Sequence, residues 1–104
     1  MEIEIFDTSL EQFIESLEKP TIAKVLRTID LLKLFGSQLG MPHTKKISNE
    51  LFELRIGGKQ KVRFFYAFYE NKIVLLHGFV KKSTKIPQRE INHALTKFKF
   101  LTMA

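Results

Sequence analysis

Acidic and apolar side chains alternate over the first residues (Glu2, Ile3, Glu4, Ile5, Phe6), which is the period of a half-buried strand. Asp7, Thr8 and Ser9 then offer side-chain oxygens to cap a helix whose short apolar stripe is Phe13, Ile14 and Leu17. That helix should stop near Lys19, because Pro20 disfavours helical geometry in the residue before it. Pro20 itself suits the first turn of a second helix, in which Ile22, Val25, Leu26, Ile29, Leu32 and Phe35 recur at three- and four-residue steps. Gly36 is its predicted stop, and residues 36–49, with Gly40 and Pro42, read as a loop. Residues 51–56, 61–69 and 73–80 read as three antiparallel strands, joined at Gly57-Gly58 and at Glu70-Asn71-Lys72. After Pro87, residues 88–101 carry Ile91, Ala94, Leu95, Phe98 and Leu101 at helical spacing.

The expected order is β-α-α-β-β-β-α, an α+β fold in one domain spanning residues 1–104, with the helical hairpin needing a sheet to cover. Strand parity then predicts the faces. Phe52, Leu54 and Ile56 share a side, as do Val62, Phe64, Tyr66 and Phe68, and these should pack on the two long helices. Glu53, Arg55, Lys61 and Arg63 should turn to an open side. Unbroken alternation in the last strand groups His77 and Phe79 with Ile73 and Leu75, opposite Val74, Leu76, Gly78 and Val80. Both groups are apolar, so this strand is expected to be central.

Composition narrows the chemistry. Among 104 residues there is no cysteine, which removes disulfides, thiolate metal sites and thiol nucleophiles together. No apolar run approaches the ~20 residues that cross a bilayer, and the acidic start is unlike a signal peptide, so a cytoplasmic location is expected. The net charge of +6 is lopsided: residues 1–40 hold four basic against seven acidic side chains, a net −3, while the remainder holds thirteen against four, a net +9. Such a remainder suits an anionic partner, nucleic acid above all.

His43, His77 and His93 lack metal-ligand spacing, Gly57-Gly58 precedes no helix that would make a phosphate loop, and no serine has a nucleophile-elbow context. What remains is metal-free chemistry on a polyanion, and RNA would bring its own nucleophile in the 2′-hydroxyl. Cleavage then needs a proton acceptor, cations for the phosphate charge and an acid for the leaving oxygen. Arg55, Arg63, Lys81, Lys82 and His77 can supply these roles, and Tyr66 and Phe79 are candidates to stack on a base. No cofactor is expected.

Four stretches taken in order carry a resemblance: Leu51-Phe52-Glu53-Leu54-Arg55; Val62-Arg63-Phe64-Phe65-Tyr66; Leu75-Leu76-His77-Gly78-Phe79-Val80-Lys81-Lys82-Ser83-Thr84-Lys85-Ile86-Pro87; and Glu90-Ile91 with Ala94. Together they resemble the phage Gp49-like branch of the RelE/ParE toxin superfamily, near the HigB toxins. The resemblance implies two helices on a curved, mainly antiparallel sheet, in a toxin of a type II toxin-antitoxin module. It also implies metal-independent cutting of mRNA on the ribosome, and silencing by a cognate antitoxin, commonly a HigA-like helix-turn-helix protein. By position, Arg55 and Arg63 match the family's basic strand residues and Lys81 and Lys82 the basic end of the last strand, which makes Arg63, Lys81 and Lys82 the implied phosphate and transition-state contacts and His77 or a lysine the proton carrier; Arg55, Lys61 and Lys85 by charge, and Tyr66 and Phe79 by their rings, are the expected RNA contacts. Some relatives carry a catalytic tyrosine or histidine in the terminal segment, where this chain has only His93 and no tyrosine. The general acid and base therefore stay unassigned. Inhibition of DNA gyrase, the superfamily's other activity, and a non-catalytic binding module are the alternatives.

Overall fold

The computed structural model describes residues 1–103. Its elements are β1 (Glu2–Ile5), α1 (Thr8–Glu15), α2 (Lys19–Phe35), β2 (Thr44–Lys46), β3 (Phe52–Ile56), β4 (Val62–Tyr69), β5 (Lys72–Val80) and α3 (Gln88–Met103). The α+β class is as expected, but the order contains one strand more than the sequence pattern indicated. β2 lies inside the predicted loop, and only three residues of polar sequence (Thr44, Lys45, Lys46) form it, too short to show a period. Its partner reveals it: Thr44, Lys45 and Lys46 pair with Leu54, Glu53 and Phe52.

The strands form one mixed sheet in the order β1-β5-β4-β3-β2. β1 runs parallel to β5, and the other pairings are antiparallel. Asp7 caps α1 by accepting the Leu10 amide at 3.1 Å, a contact worth about 1 kcal/mol against alanine. Gly36, at φ +55°, ends α2. Glu70 and Asn71, both at positive φ, make the tight turn between β4 and β5, whose handedness matches the twist of the strands. Lys72, expected in that turn, already pairs with Tyr69 in the ladder.

Helices cover both sides of the sheet. On one side Leu10, Ile14, Leu17, Val25 and Leu32 from α1 and α2 and the segment between them pack on Leu54, Ile56, Val62, Phe64, Tyr66, Ile73 and Leu75. α2 meets the sheet through Thr21, Val25, Thr28 and Leu32, whereas Leu26 and Phe35, placed by periodicity on the apolar stripe, are about half exposed. Thr28 satisfies its hydroxyl on the Lys24 carbonyl at 2.7 Å. On the other side Ala94, with Ile91, Phe98 and Leu101, seats α3 on Leu51, Phe65, Ala67, Val74, Leu76 and Phe79. The face expected to be open is thus largely closed.

A bulge inverts the parity of β5. Phe65 pairs with His77 but Tyr66 pairs with Leu75, leaving Leu76 as an extra residue. Beyond it His77 and Phe79 face α3 with Val74 and Leu76, while Gly78 turns towards α1, the reverse of the grouping from unbroken alternation. Alternation alone cannot register an inserted residue. Gly78 fills a position where a side chain has no room: a Cβ there would lie 2.7 Å from the Phe64 ring and 2.8 Å from the Phe13 ring, which meet edge to face.

Gly78→Ala should therefore destabilise the fold by about 1–3 kcal/mol in urea unfolding, because two packed aromatic rings must shift. Gly57→Ala, with open space around its Cβ, should stay within about 0.5 kcal/mol of the parent.

Candidate functional site

Where α3 leaves the sheet uncovered, the charged residues of β3 and β4 gather. Arg55 and Arg63 are cross-strand partners, an arrangement of like charges that costs stability unless compensated. The compensation is Glu53, two residues before Arg55 and therefore on the same face. Its side chain is 1% exposed; Oε1 accepts from Arg55 Nε at 2.8 Å, and Oε2 lies 3.7 Å from Arg63 Nε. Arg63 also donates through Nη1 to the carbonyls of Val62 at 2.9 Å and Ile56 at 3.3 Å. Burial pushes the Arg63 guanidinium below its ordinary value; the Glu53 charge opposes that shift and Arg55 adds to it.

Arg63 lines an open cleft of about 700 Å³ with Lys59, Lys61, Lys81, Lys82, Ser83 and Thr84. Two loops build it, one joining β3 to β4 and one following β5, and the Lys81 amide bonds the Lys61 carbonyl at 2.7 Å to hold them together. The first loop is also tied to the start of α2. The Glu18 amide donates to Gln60 Oε1 at 3.0 Å, and the Lys24 ammonium fills the space that a Cβ on Gly58 (φ +117°) would need. Lys24 thereby extends the positive rim onto α2.

Four of the residues singled out in the sequence, Lys61, Arg63, Lys81 and Lys82, meet in this cleft. Arg55 sits beside it through Glu53, and Lys85 is exposed in the segment leading to α3. Tyr66 is placed otherwise: it is 2% exposed on the α2 side, stacked on Phe52, and burial pushes its hydroxyl up to about 12 against a hydrogen bond with Thr44. Phe79 is also buried, packed on Phe65 and His77 beneath α3. Neither ring presents a face for a base to stack on, because each has been spent on covering the sheet.

His77 lies outside the cleft. Its Nε2 is 2.8 Å from Glu90 Oε1, and its ring stacks on His93 with centroids 5.2 Å apart, so both contacts join β5 to α3. Lys97 of α3 reaches Asp7 Oδ2 at 3.1 Å and ties the same helix to the start of α1. Burial pushes the His77 imidazole below its ordinary value; the Glu90 hydrogen bond and charge oppose this, while Lys97 and His93 add to it.

The sequence pattern did not single out Lys59 or the full part played by Glu53. Glu53 was expected on an open face with Arg55 and Arg63, whereas it is buried between them. The charge clustered around Gly57-Gly58 was the available signal for Lys59. Among the described residues no group of three or more His, Cys, Asp or Glu side chains could hold a metal ion, and no helix is long and apolar enough to cross a membrane.

Comparison with family models matches residues 12–99 to the phage-derived protein Gp49-like family (DUF891). The chain belongs to that family, which is a toxin-like family of the RelE/HigB type. A search of curated proteins finds no match to it.

Burial of His77 beneath α3 predicts an acid-sensitive fold. An unfolded imidazole takes its proton near pH 6.5 and the folded one only at lower pH, so stability held above that point is lost as pH falls below it. The urea midpoint should drop between about pH 7.5 and about pH 5.5, and His77→Gln should reduce that drop while retaining the part due to other groups.

Proposed function

We propose that this protein is the toxin of a type II toxin-antitoxin module and acts as a metal-independent endoribonuclease on ribosome-bound mRNA. The observation that carries the reading is Arg63, anchored on two backbone carbonyls and facing the buried Glu53, lining a lysine-rimmed cleft. Membership of a toxin-like family supports it. The lysines attract and track the RNA backbone, a contribution that weakens steeply with salt. Arg63 presents a planar donor group to a phosphate, a geometry that lysine lacks.

In the reaction the substrate's 2′-oxygen forms a bond to the adjacent phosphorus and the bond from phosphorus to the 5′-oxygen breaks. The 2′-hydroxyl proton leaves to a base, and the departing 5′-oxygen takes up a proton. Arg63 neutralises the charge that grows on the non-bridging oxygens, with Lys81 and Lys82 beside it. The proton carriers come from the cleft and the bound ribosomal complex, since His77 is engaged with Glu90 under α3. A cognate helix-turn-helix antitoxin, HigA-like in kind, silences the activity by covering this basic surface.

Primer extension on cellular mRNA after induction tests the reading: cuts inside translated codons are expected, whereas intact mRNA with supercoiling defects would point to gyrase inhibition and overturn it. Lys82→Ala should abolish growth arrest with the thermal transition unchanged, and Arg63→Ala should do so with a lowered but still cooperative transition, because Glu53 then loses one of its two buried counter-charges. Lys59→Ala and Lys24→Ala should weaken binding to any RNA sequence alike and lower the salt slope by about one unit each. Tyr66→Ala should instead act through stability, costing roughly 3–5 kcal/mol as for other buried aromatic truncations.

A further inference from the structure

Glu53 is an expensive residue for its position. It faces the α3 side of the sheet, opposite Phe65 on β4 and near Leu51, where an apolar side chain would extend the core. A buried carboxylate gives up its hydration, and hydrophobic replacements of buried ion pairs are often neutral or stabilising. An apolar set in place of Glu53, Arg55 and Arg63 together would serve the fold as well, so the acid answers to the two arginines that are kept here and not to the core. Its two oxygens are used unequally. Oε1 makes a short hydrogen bond to Arg55, whereas Oε2 and Arg63 Nε face one another at 3.7 Å, both buried and both without a hydrogen-bond partner. Arg63 is held from the other end by the Val62 and Ile56 carbonyls, so its guanidinium plane is defined from two directions while the side chain lines the cleft.

We propose that Glu53 is a positioning residue: its buried carboxylate sets the planes of Arg55 and Arg63 toward an RNA phosphate in the cleft without touching that phosphate. This rests on the cleft being the RNA site. Without the carboxylate, two guanidiniums in cross-strand register repel, and the nearer way to relieve the repulsion is for one to swing out of the sheet. The long lysine side chains still bind the backbone, but the arginine no longer meets the reacting phosphate at a fixed angle. A displacement of about 1 Å at such a contact costs about 100-fold in rate.

The test uses the full chain with ribosomes programmed with mRNA, and ¹⁵N-labelled protein for the arginine Nε–Hε signals. Glu53→Gln, close in shape, should fold, lower kcat about 100-fold and leave KM within about threefold, since binding is mostly through lysine. Its Arg55 and Arg63 Hε signals should shift and exchange faster with water. Glu53→Asp keeps the charge but is one methylene short; it should recover the Arg55 signal, lose the Arg63 alignment and decide the question if Glu53→Gln does not fold. Cleavage by Glu53→Gln at the parent rate, with Arg63→Ala inactive, overturns the proposal. If the parent protein itself leaves programmed ribosomes uncut, the endoribonuclease reading falls. Positioning is then decided by titrating inorganic phosphate: both Hε signals should respond in the parent and not in Glu53→Gln, and equal responses overturn it.

Discussion

Strands β4 and β5 carry apolar side chains on both faces, and water has to be kept from both. This double burial organises the molecule. α1 and α2 cover Phe64, Tyr66, Ile73 and Leu75, and α3 covers Phe65, Ala67, Val74 and Leu76 on the reverse. The bulge at Leu76 makes the second coverage possible, because it directs Val74, Leu76, His77 and Phe79 to the same side. Gly78 then gives Phe13 and Phe64 room to meet on the first side. A small domain with little surface hidden has few ways to satisfy such a strand pair, and three helices around one sheet is among the simplest.

Charge is displaced to where coverage ends. α3 meets the part of the sheet around Leu51, Phe65 and Ala67, so the positions of Arg55 and Arg63 fall at its margin. There the arginines are mostly sheltered from water, which makes their charges more effective and also makes a counter-charge necessary. Glu53 meets that need from within the sheet, while the loops on either side contribute flexible lysines from outside it. The site thus combines a buried inner carboxylate with an outer rim of loop lysines.

Much of this was legible from residue patterns, and the failures have physical causes. The α2 periodicity, the Asp7 cap, the Glu70-Asn71 turn and the helical spacing after Pro87 are local signals, and each element formed where they pointed. β2 was invisible because a three-residue polar strand has no signature apart from the partner it pairs with. Tyr66 and Phe79 looked available for bases because aromatic residues in a basic stretch serve stacking and core packing equally well. His77 likewise carried no mark of Glu90 and His93, thirteen or more residues away on α3.

By itself the sequence determined the secondary elements other than β2, the surplus of cations in its later part and four of the cations that line the cleft, since period, capping and charge are properties of neighbouring residues. The tertiary structure alone decided which face each of them occupies. One inserted residue in β5 reverses inside and outside for everything after it, and the docking of α3 turns a supposed open surface into core. It also decided that Glu53 is buried between two arginines, because burial depends on what packs above a residue and not on the residue or its neighbours in the chain.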